Sequence, residues 1–202
     1  MRKSGIVCRM RKVILASASR WRREILEKSR IPFTVEPSDF EENMSLDLSP
    51  RDLAQTLAIG KAEAVAINHT DAIVIGADTL VEFEGAVIGK PYTAENAIEI
   101  LKRLSGNTHT IYTGYCIVDA KSGERREGVV ETRVTFRDLS DSEIMNYVAT
   151  GEPLNAAGAY TIQGFAAGFA SQIDGDFYNV VGLPLSTILE ELAKFGISYG
   201  TS

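Results

Sequence analysis

Cations recur in three short stretches of this chain: Ser17-Ala18-Ser19-Arg20-Trp21-Arg22-Arg23, then Lys61, then Gly89-Lys90-Pro91. Acidic residues lie between them, as the pair Glu41-Glu42 and as Asp78 in Gly76-Ala77-Asp78-Thr79. Guanidinium and ammonium groups clamp phosphates, and carboxylates ligate hard divalent cations, so the set suits a nucleoside triphosphate. Asp78 carries the sharpest signal. It follows the apolar run Ala72-Ile73-Val74-Ile75, where a carboxylate is costly unless it meets a metal, a partner or a ligand. Capping the next turn is the structural alternative. Arg20, Arg22 and Arg23 open a helix directly after a strand, so free amides and guanidinium forks converge on one phosphate; a solvated basic face has the same spacing. Lys61 shares the helical stripe of Leu53 and Leu57, from which it either reaches a cleft or snorkels to the surface. Lys90 is a held cation, because Gly89 permits close approach and Pro91 fixes the turn. Glu41 and Glu42 read either as metal ligands or as a solvated acidic loop.

These residues need elements to position them, and the chain alternates strands with helices. Val13–Ala16 reads as a buried strand and feeds a helix that ends near Lys28. Ile31–Val35 reads as a second strand, followed by an acidic loop over 39–42. Ser49-Pro50 is an N-cap with a proline at the first helical position, opening an Ala-rich helix to about Ile67. Ala72–Gly76 is the clearest buried strand, and the pattern predicts that it stops at Ala77-Asp78, placing Asp78 at a carboxyl edge where α/β sheets bind ligands. A helix follows over Thr93–Leu104. Strands are predicted at Thr110–Val118, Val129–Phe136, Phe169–Ile173 and Tyr178–Val181, with a capping-box helix from Ser140 and a closing helix over Leu185–Phe195. The pattern contains no linker, so one compact α/β unit is expected.

Composition narrows the class. The chain has 202 residues, 45% of them hydrophobic, enough to bury a full core. A net charge of -6 argues against non-specific nucleic-acid binding, so an anionic ligand must be held locally. Cys8 and Cys116 lack metal or disulfide spacing, and no segment reads as a signal peptide or membrane span, so a cytoplasmic setting and a flexible extension over residues 1–10 are expected. GxxxxGK[ST], HExxH and GxSxG are absent, and His69 and His109 stand alone.

Taken together, Leu15–Ser19, Ile75–Thr79, Gly89–Pro91, Leu104–His109, Ala157–Gly164 and Val181–Pro184 resemble the Maf-type nucleoside triphosphate pyrophosphatases, also called septum formation inhibitor proteins. The resemblance implies an ITPase-like (Maf/Ham1-like) α/β fold, a mixed twisted sheet with flanking helices and two lobes around a central cleft. It also implies a divalent metal, Mg²⁺ or Mn²⁺, a homodimer, and cleavage of nucleotides to monophosphate and pyrophosphate. By position it makes Asp78 the catalytic acid, Glu41, Lys61 and Lys90 its charged companions, Glu41 and Asp78 the metal ligands, and Ser17, Ser19, Trp21, Arg22, Thr79 and Gln163 the substrate-binding set. No membrane or nucleic-acid partner is implied.

Base choice is mixed. The family's first motif usually reads Ser-Pro-Arg-Arg, where this chain has Ser19, Arg20, Trp21 and Arg22. Tryptophan at the Trp21 position is similar to the branch acting on 7-methyl-GTP, whose cationic base stacks on indole; core packing is the alternative. Thr79 and Gln163 resemble the dTTP/UTP branch, and a neutral amide matches a uracil or thymine edge. Two of these three positions favour dTTP and UTP, with 7-methyl-GTP as the alternative. A regulator that acts by binding a cell-division partner is the reading from a different class.

Overall fold

The computed structural model describes residues 11–198, and the expected extension over residues 1–10 lies outside them. Seven strands form one mixed sheet. They are β1 (Lys12–Leu15), β2 (Phe33–Val35), β3 (Ala72–Phe83), β4 (Ala86–Ile88), β5 (Thr108–Asp119), β6 (Arg125–Phe136) and β7 (Ala170–Asp174). Their order is β2-β1-β3-β5-β6-β7, with β4 paired to β3 off that path. β1 is parallel to both β2 and β3, while β3, β5, β6 and β7 pair antiparallel. The helices are α1 (Arg20–Glu27), α2 (Pro50–Ala66), α3 (Ala94–Leu104), α4 (Asp141–Ala149), α5 (Phe177–Val181) and α6 (Leu185–Lys194).

Most helices start where side-chain chemistry tells them to. Ser19, Ser49, Thr93 and Ser140 each accept an amide of the first turn, and Ser140 with Glu143 forms a complete capping box. The expected strand at Tyr178–Val181 is instead helix α5. Asp176 caps it by accepting the Tyr178 amide, and five residues are too few for periodicity to separate helix from strand.

β3 also departs from expectation: it does not stop at Ala77 but runs on to Phe83. Its parallel neighbour stops, with Leu15 paired to Ile75, whereas β5 continues alongside, pairing Asp78 with Gly114 and Thr79 with Thr113. Asp78 therefore sits in mid-strand, just past the carboxyl end of β1, where the chain leaves the sheet to become α1. The gap beside β3 is the crevice expected at that edge.

The long strands run through two regions of core. In one, Leu15, Ile73, Ile75 and Ile117 pack with Ile25, Leu26, Ile188 and Leu192 of α1 and α6. Helix α2 covers the other face, laying Ala62, Val65 and Ala66 over Ile14, Val74 and Cys116. Beyond the crevice, Val81, Ile111, Val134 and Phe136 pack with α3, α4, Tyr147, Tyr160 and Phe169. Alanines let α2 come close, and so do two glycines beneath it. A Cβ at Gly76 would stand 2.5 Å from the Ala58 carbonyl oxygen and 2.7 Å from the Ala62 nitrogen, and one at Gly114 would overlap the Ala54 carbonyl.

His109 lies fully inside the core beyond the crevice, with its Nε2 2.8 Å from the Tyr160 hydroxyl and its ring edge-on to Phe136. Burial pushes its pKa down to about 4, so it is neutral in the fold.

Two outcomes follow from this packing. Gly76→Ala is expected to cost about 1–3 kcal/mol in a urea titration, because the new methyl meets backbone that cannot rotate away. For His109 the unfolded ring titrates near 6.5 and the folded ring near 4. The unfolded state thus binds the extra proton in between, so this contribution is complete above pH 6.5, declines as pH falls toward 4, and is constant below. The difference amounts to about 3 kcal/mol. Denaturation of wild type and His109→Gln across that range checks it: the two stability curves should converge as pH falls from 7 to 4.

Candidate active site

The turn from β1 into α1 builds the first wall. Ser17 is buried at the end of the strand, and its Oγ accepts both the Ser19 amide and Arg22 Nη1, each at 3.2 Å. Arg22 Nε donates to the Gly182 carbonyl at 2.9 Å and Nη2 to Thr79 Oγ1 at 3.1 Å. Three groups from separate parts of the chain thus fix one guanidinium. Burial lowers its pKa, opposed by the charges of Asp78 and Glu42. The neighbouring arginines do not converge with it. Arg20 pairs with Glu24 at 2.6 Å and lies over the Trp21 ring at 5.1 Å, and Arg23 pairs with Glu27. Helical rotation of about 100° per residue sends the three in different directions.

Helix α2 supplies Lys61, which points into the crevice rather than out to solvent. Its Nζ bonds Asp78 Oδ1 and lies 2.7 Å from Glu42 Oε1. The side chains of Lys61 and Asp78 are only 12% and 10% exposed. Glu42 arrives on the loop after β2, anchored where the Phe40 ring lies against Gly60, a position that has no room for a side chain. Of the acidic pair, the structure brings Glu42 to Asp78; Glu41 is exposed and does not line the cleft. Glu41, expected as the companion of Asp78, is not among the residues that line the cleft; Phe40 packs against α2, and Glu42, itself 47% exposed, reaches Lys61.

Lys90 is exposed on the opposite wall, and among the described residues no carboxylate lies within salt-bridge distance of it. No protein atom would crowd a side chain at Gly89. The turn is instead held by hydrogen bonds: the Gly158 amide to the Gly89 carbonyl at 3.2 Å, the Tyr92 amide to Leu154 at 3.0 Å, and Asn96 Nδ2 to Pro91 at 3.1 Å.

These walls enclose a cleft of about 870 Å³ that contains Ser17, Ser19, Arg22, Glu42, Lys61, Asp78, Thr79 and Lys90. A second hollow of about 340 Å³ adjoins it, lined by Trp21, Glu152, Tyr160 and Gln163 among others. Thr79, Asn155 and Ala157 line both, so they form the junction. Gln163 Nε2 is buried there without a hydrogen-bond partner. The sequence-predicted residues therefore divide between the two spaces, with Glu41 left outside. Glu152 and Asn155 were missed, because Gly151-Glu152-Pro153 reads only as a turn after α4. Among the described residues no three His, Cys, Asp or Glu side chains cluster as a metal cage. Asp78 and Glu42 converge on one point, Lys61 Nζ, and two carboxylates are the donor set Mg²⁺ takes when waters and substrate phosphates complete its shell.

A family model of Maf-like proteins matches residues 12–195. The chain belongs to the Maf-like family. Among its curated relatives, a dTTP/UTP pyrophosphatase of Moorella thermoacetica is 50% identical over 188 residues, covering 93% of this chain and 97% of that protein. A Bacillus cereus protein of the same description is 46% identical over 189 residues, with the same coverage. Among solved structures, the Ham1 protein of Staphylococcus aureus covers 92% of this Maf-like chain and 99% of its own, with a TM-score of 0.50 at 15% identity. That likeness shows the expected Ham1-like mixed sheet with flanking helices.

Lys61→Met strands the Asp78 carboxylate in a largely closed site and is expected to lower unfolding free energy by about 2–3 kcal/mol. Lys61→Met combined with Asp78→Leu should recover most of that loss, as a double-mutant cycle in urea would reveal.

Proposed function

We propose that this Maf-like protein is a nucleoside triphosphate pyrophosphatase acting on dTTP and UTP, releasing the monophosphate and pyrophosphate. The observation that carries this is the convergence of Arg22, Lys61 and Lys90 with Asp78 and Glu42 in one cleft that opens into a smaller hollow. The triphosphate occupies the charged cleft and the base enters the hollow. The descriptions of the Moorella and Bacillus relatives support the same assignment.

On this reading Asp78 orients a water and accepts its proton as the water oxygen attacks the α-phosphorus. The bond to the bridging oxygen breaks, and pyrophosphate leaves with that electron pair. Arg22 and Lys90 neutralise the departing charge, while Lys61 holds Asp78 and Glu42 in their orientation. Asp78 and Glu42, rather than Glu41, would hold Mg²⁺ or Mn²⁺. Such an ion, when bound, neutralises phosphate charge and acidifies the attacking water.

Base preference rests on the hollow. Gln163 offers a buried donor that is unpaired in the protein, a penalty of about 1–3 kcal/mol that a base carbonyl removes. Trp21 lines the same hollow, but its ring already carries the Arg20 guanidinium at 5.1 Å. The neutral amide of Gln163 matches a uracil or thymine edge. This favours dTTP and UTP. One catalytic unit spanning the matched residues, a homodimer and a cytoplasmic setting complete the proposal. A division-regulating role would require a partner surface, which these residues do not specify.

The test incubates the purified protein with Mg²⁺ or Mn²⁺ and dTTP, UTP, CTP, GTP, ATP or 7-methyl-GTP, and resolves the products. Monophosphate and pyrophosphate from dTTP and UTP are expected, with Asp78→Asn lowering kcat by about 10²- to 10⁴-fold. Diphosphate and phosphate as products, or no turnover with either metal, would sink the assignment.

A further inference from the structure

Gln163 alone leaves a chemical question open. A primary amide is both donor and acceptor, and turning it over exchanges the two, so it can match uracil or cytosine equally well. The two bases differ at ring N3: uracil and thymine carry N3–H, a donor, whereas neutral cytosine has a lone pair there. Telling them apart needs a neighbour whose polarity cannot be reversed.

Glu152 lines the same hollow as Gln163. A carboxylate only accepts, and this one is held in place. Its Oε1 accepts the Tyr147 hydroxyl at 3.0 Å, and its Oε2 faces the Phe165 amide at 3.5 Å. The Tyr147 oxygen in turn accepts the Thr161 amide at 3.1 Å, so its proton is committed to Glu152. Tyr147 is fully buried, and burial raises its pKa, so it remains a donor. Gly164 leaves room for the carboxylate: a Cβ there would stand 2.5 Å from Glu152 Cδ. The same contacts tie Glu152 to the segment 161–165, which carries Gln163.

We infer that Glu152 is a specificity-determining residue that accepts the ring N–H of uracil or thymine and excludes cytosine, whose N3 lone pair would face a fixed carboxylate. The Gln163 amide then adopts whichever orientation serves the adjacent base carbonyl. The inference rests on the pyrophosphatase reading above and goes further by assigning the choice among pyrimidines to a residue outside the charged cleft.

Glu152→Gln is nearly isosteric and keeps an oxygen for the Tyr147 hydroxyl, but it can also be turned over. The experiment measures kcat/KM for UTP and CTP in wild type and Glu152→Gln, with thermal midpoints recorded. A second arm, which needs no variant, gives wild type the N3-methyl derivative of UTP. The UTP-to-CTP ratio of kcat/KM is expected to fall about 10- to 100-fold in Glu152→Gln, with CTP gaining and UTP losing. Wild type is expected to reject N3-methyl-UTP by a similar factor. An unchanged ratio, or an equal loss for both nucleotides, would overturn the inference by leaving Glu152 as a support for its segment; so would wild type cleaving N3-methyl-UTP as well as UTP. If Glu152→Gln does not fold, the second arm decides alone. Wild type that cleaves no nucleotide fails the pyrophosphatase reading itself.

Discussion

The site depends on how closely helix α2 can lie against the sheet. A lysine on that helix must reach a carboxylate in the middle of β3 while both are largely withdrawn from water. Neither group is stable in such a place alone, so helix and strand have to be held within hydrogen-bond reach. Gly76 and Gly114, adjacent on the sheet, remove the side chains that would hold the backbones apart, and the alanines of α2 do the same from above. Small residues under this helix therefore shape the site even though Gly76, Gly114, Ala58 and Ala62 do not line the cleft. The same argument extends outward, since Gly60 accepts the Phe40 ring and so brings Glu42 onto Lys61.

A second constraint joins the two core regions. Thr79 Oγ1 accepts Arg22 and lies 3.0 Å from Thr113 Oγ1, and Thr113 donates to the Asn179 carbonyl at 2.9 Å. Because a carbonyl has no proton to give, the Thr113 proton is committed to it. The Thr79 proton then goes to Thr113 or to the Gly182 carbonyl at 3.5 Å, and either way a Thr79 lone pair is left for Arg22. Thr79 was singled out in the sequence as a base selector, yet its hydroxyl is already engaged in orienting the guanidinium. It also stands at the junction of the two hollows.

Much of this was legible in the sequence, where local chemistry and global fold agree. Caps at Ser49 and Ser140 marked their helices, and the apolar run before Gly76 marked the strand that carries Asp78. What was not legible depends on partners distant in the chain. β3 continues past Asp78 because β5 stays beside it, which no pattern within β3 announces. The short segment Tyr178–Val181 became a helix because the Asp176 side chain takes up an amide at its start. Within Glu41-Glu42 the composition is symmetric, and only the packing of Phe40 decides which carboxylate faces Lys61. Glu152 was hidden for a similar reason: its partners Tyr147 and Phe165 sit on two other segments.

Charge explains why the cleft is arranged as a set and not as a simple basic patch. Lys61 is balanced by Asp78 and Glu42, so the cleft gains from it position more than positive potential. Arg22 and Lys90 are the cations left to meet an anion, in a protein whose net charge is -6. Against the several negative charges of a triphosphate they leave a deficit. A divalent cation shared between Asp78, Glu42 and the phosphates would close it. On the proposed reading the labour would be divided: carboxylates that would repel the substrate are restrained by one lysine and would serve as ligands, while Arg22 and Lys90 line the cleft where the leaving pyrophosphate would collect charge. An all-cationic cleft would bind the triphosphate and its pyrophosphate product alike, which is uniform binding and does little for the chemical step. On the proposed reading, two acids beside the reacting phosphorus would weaken ground-state attraction, and one of them would take a proton as the transition state forms.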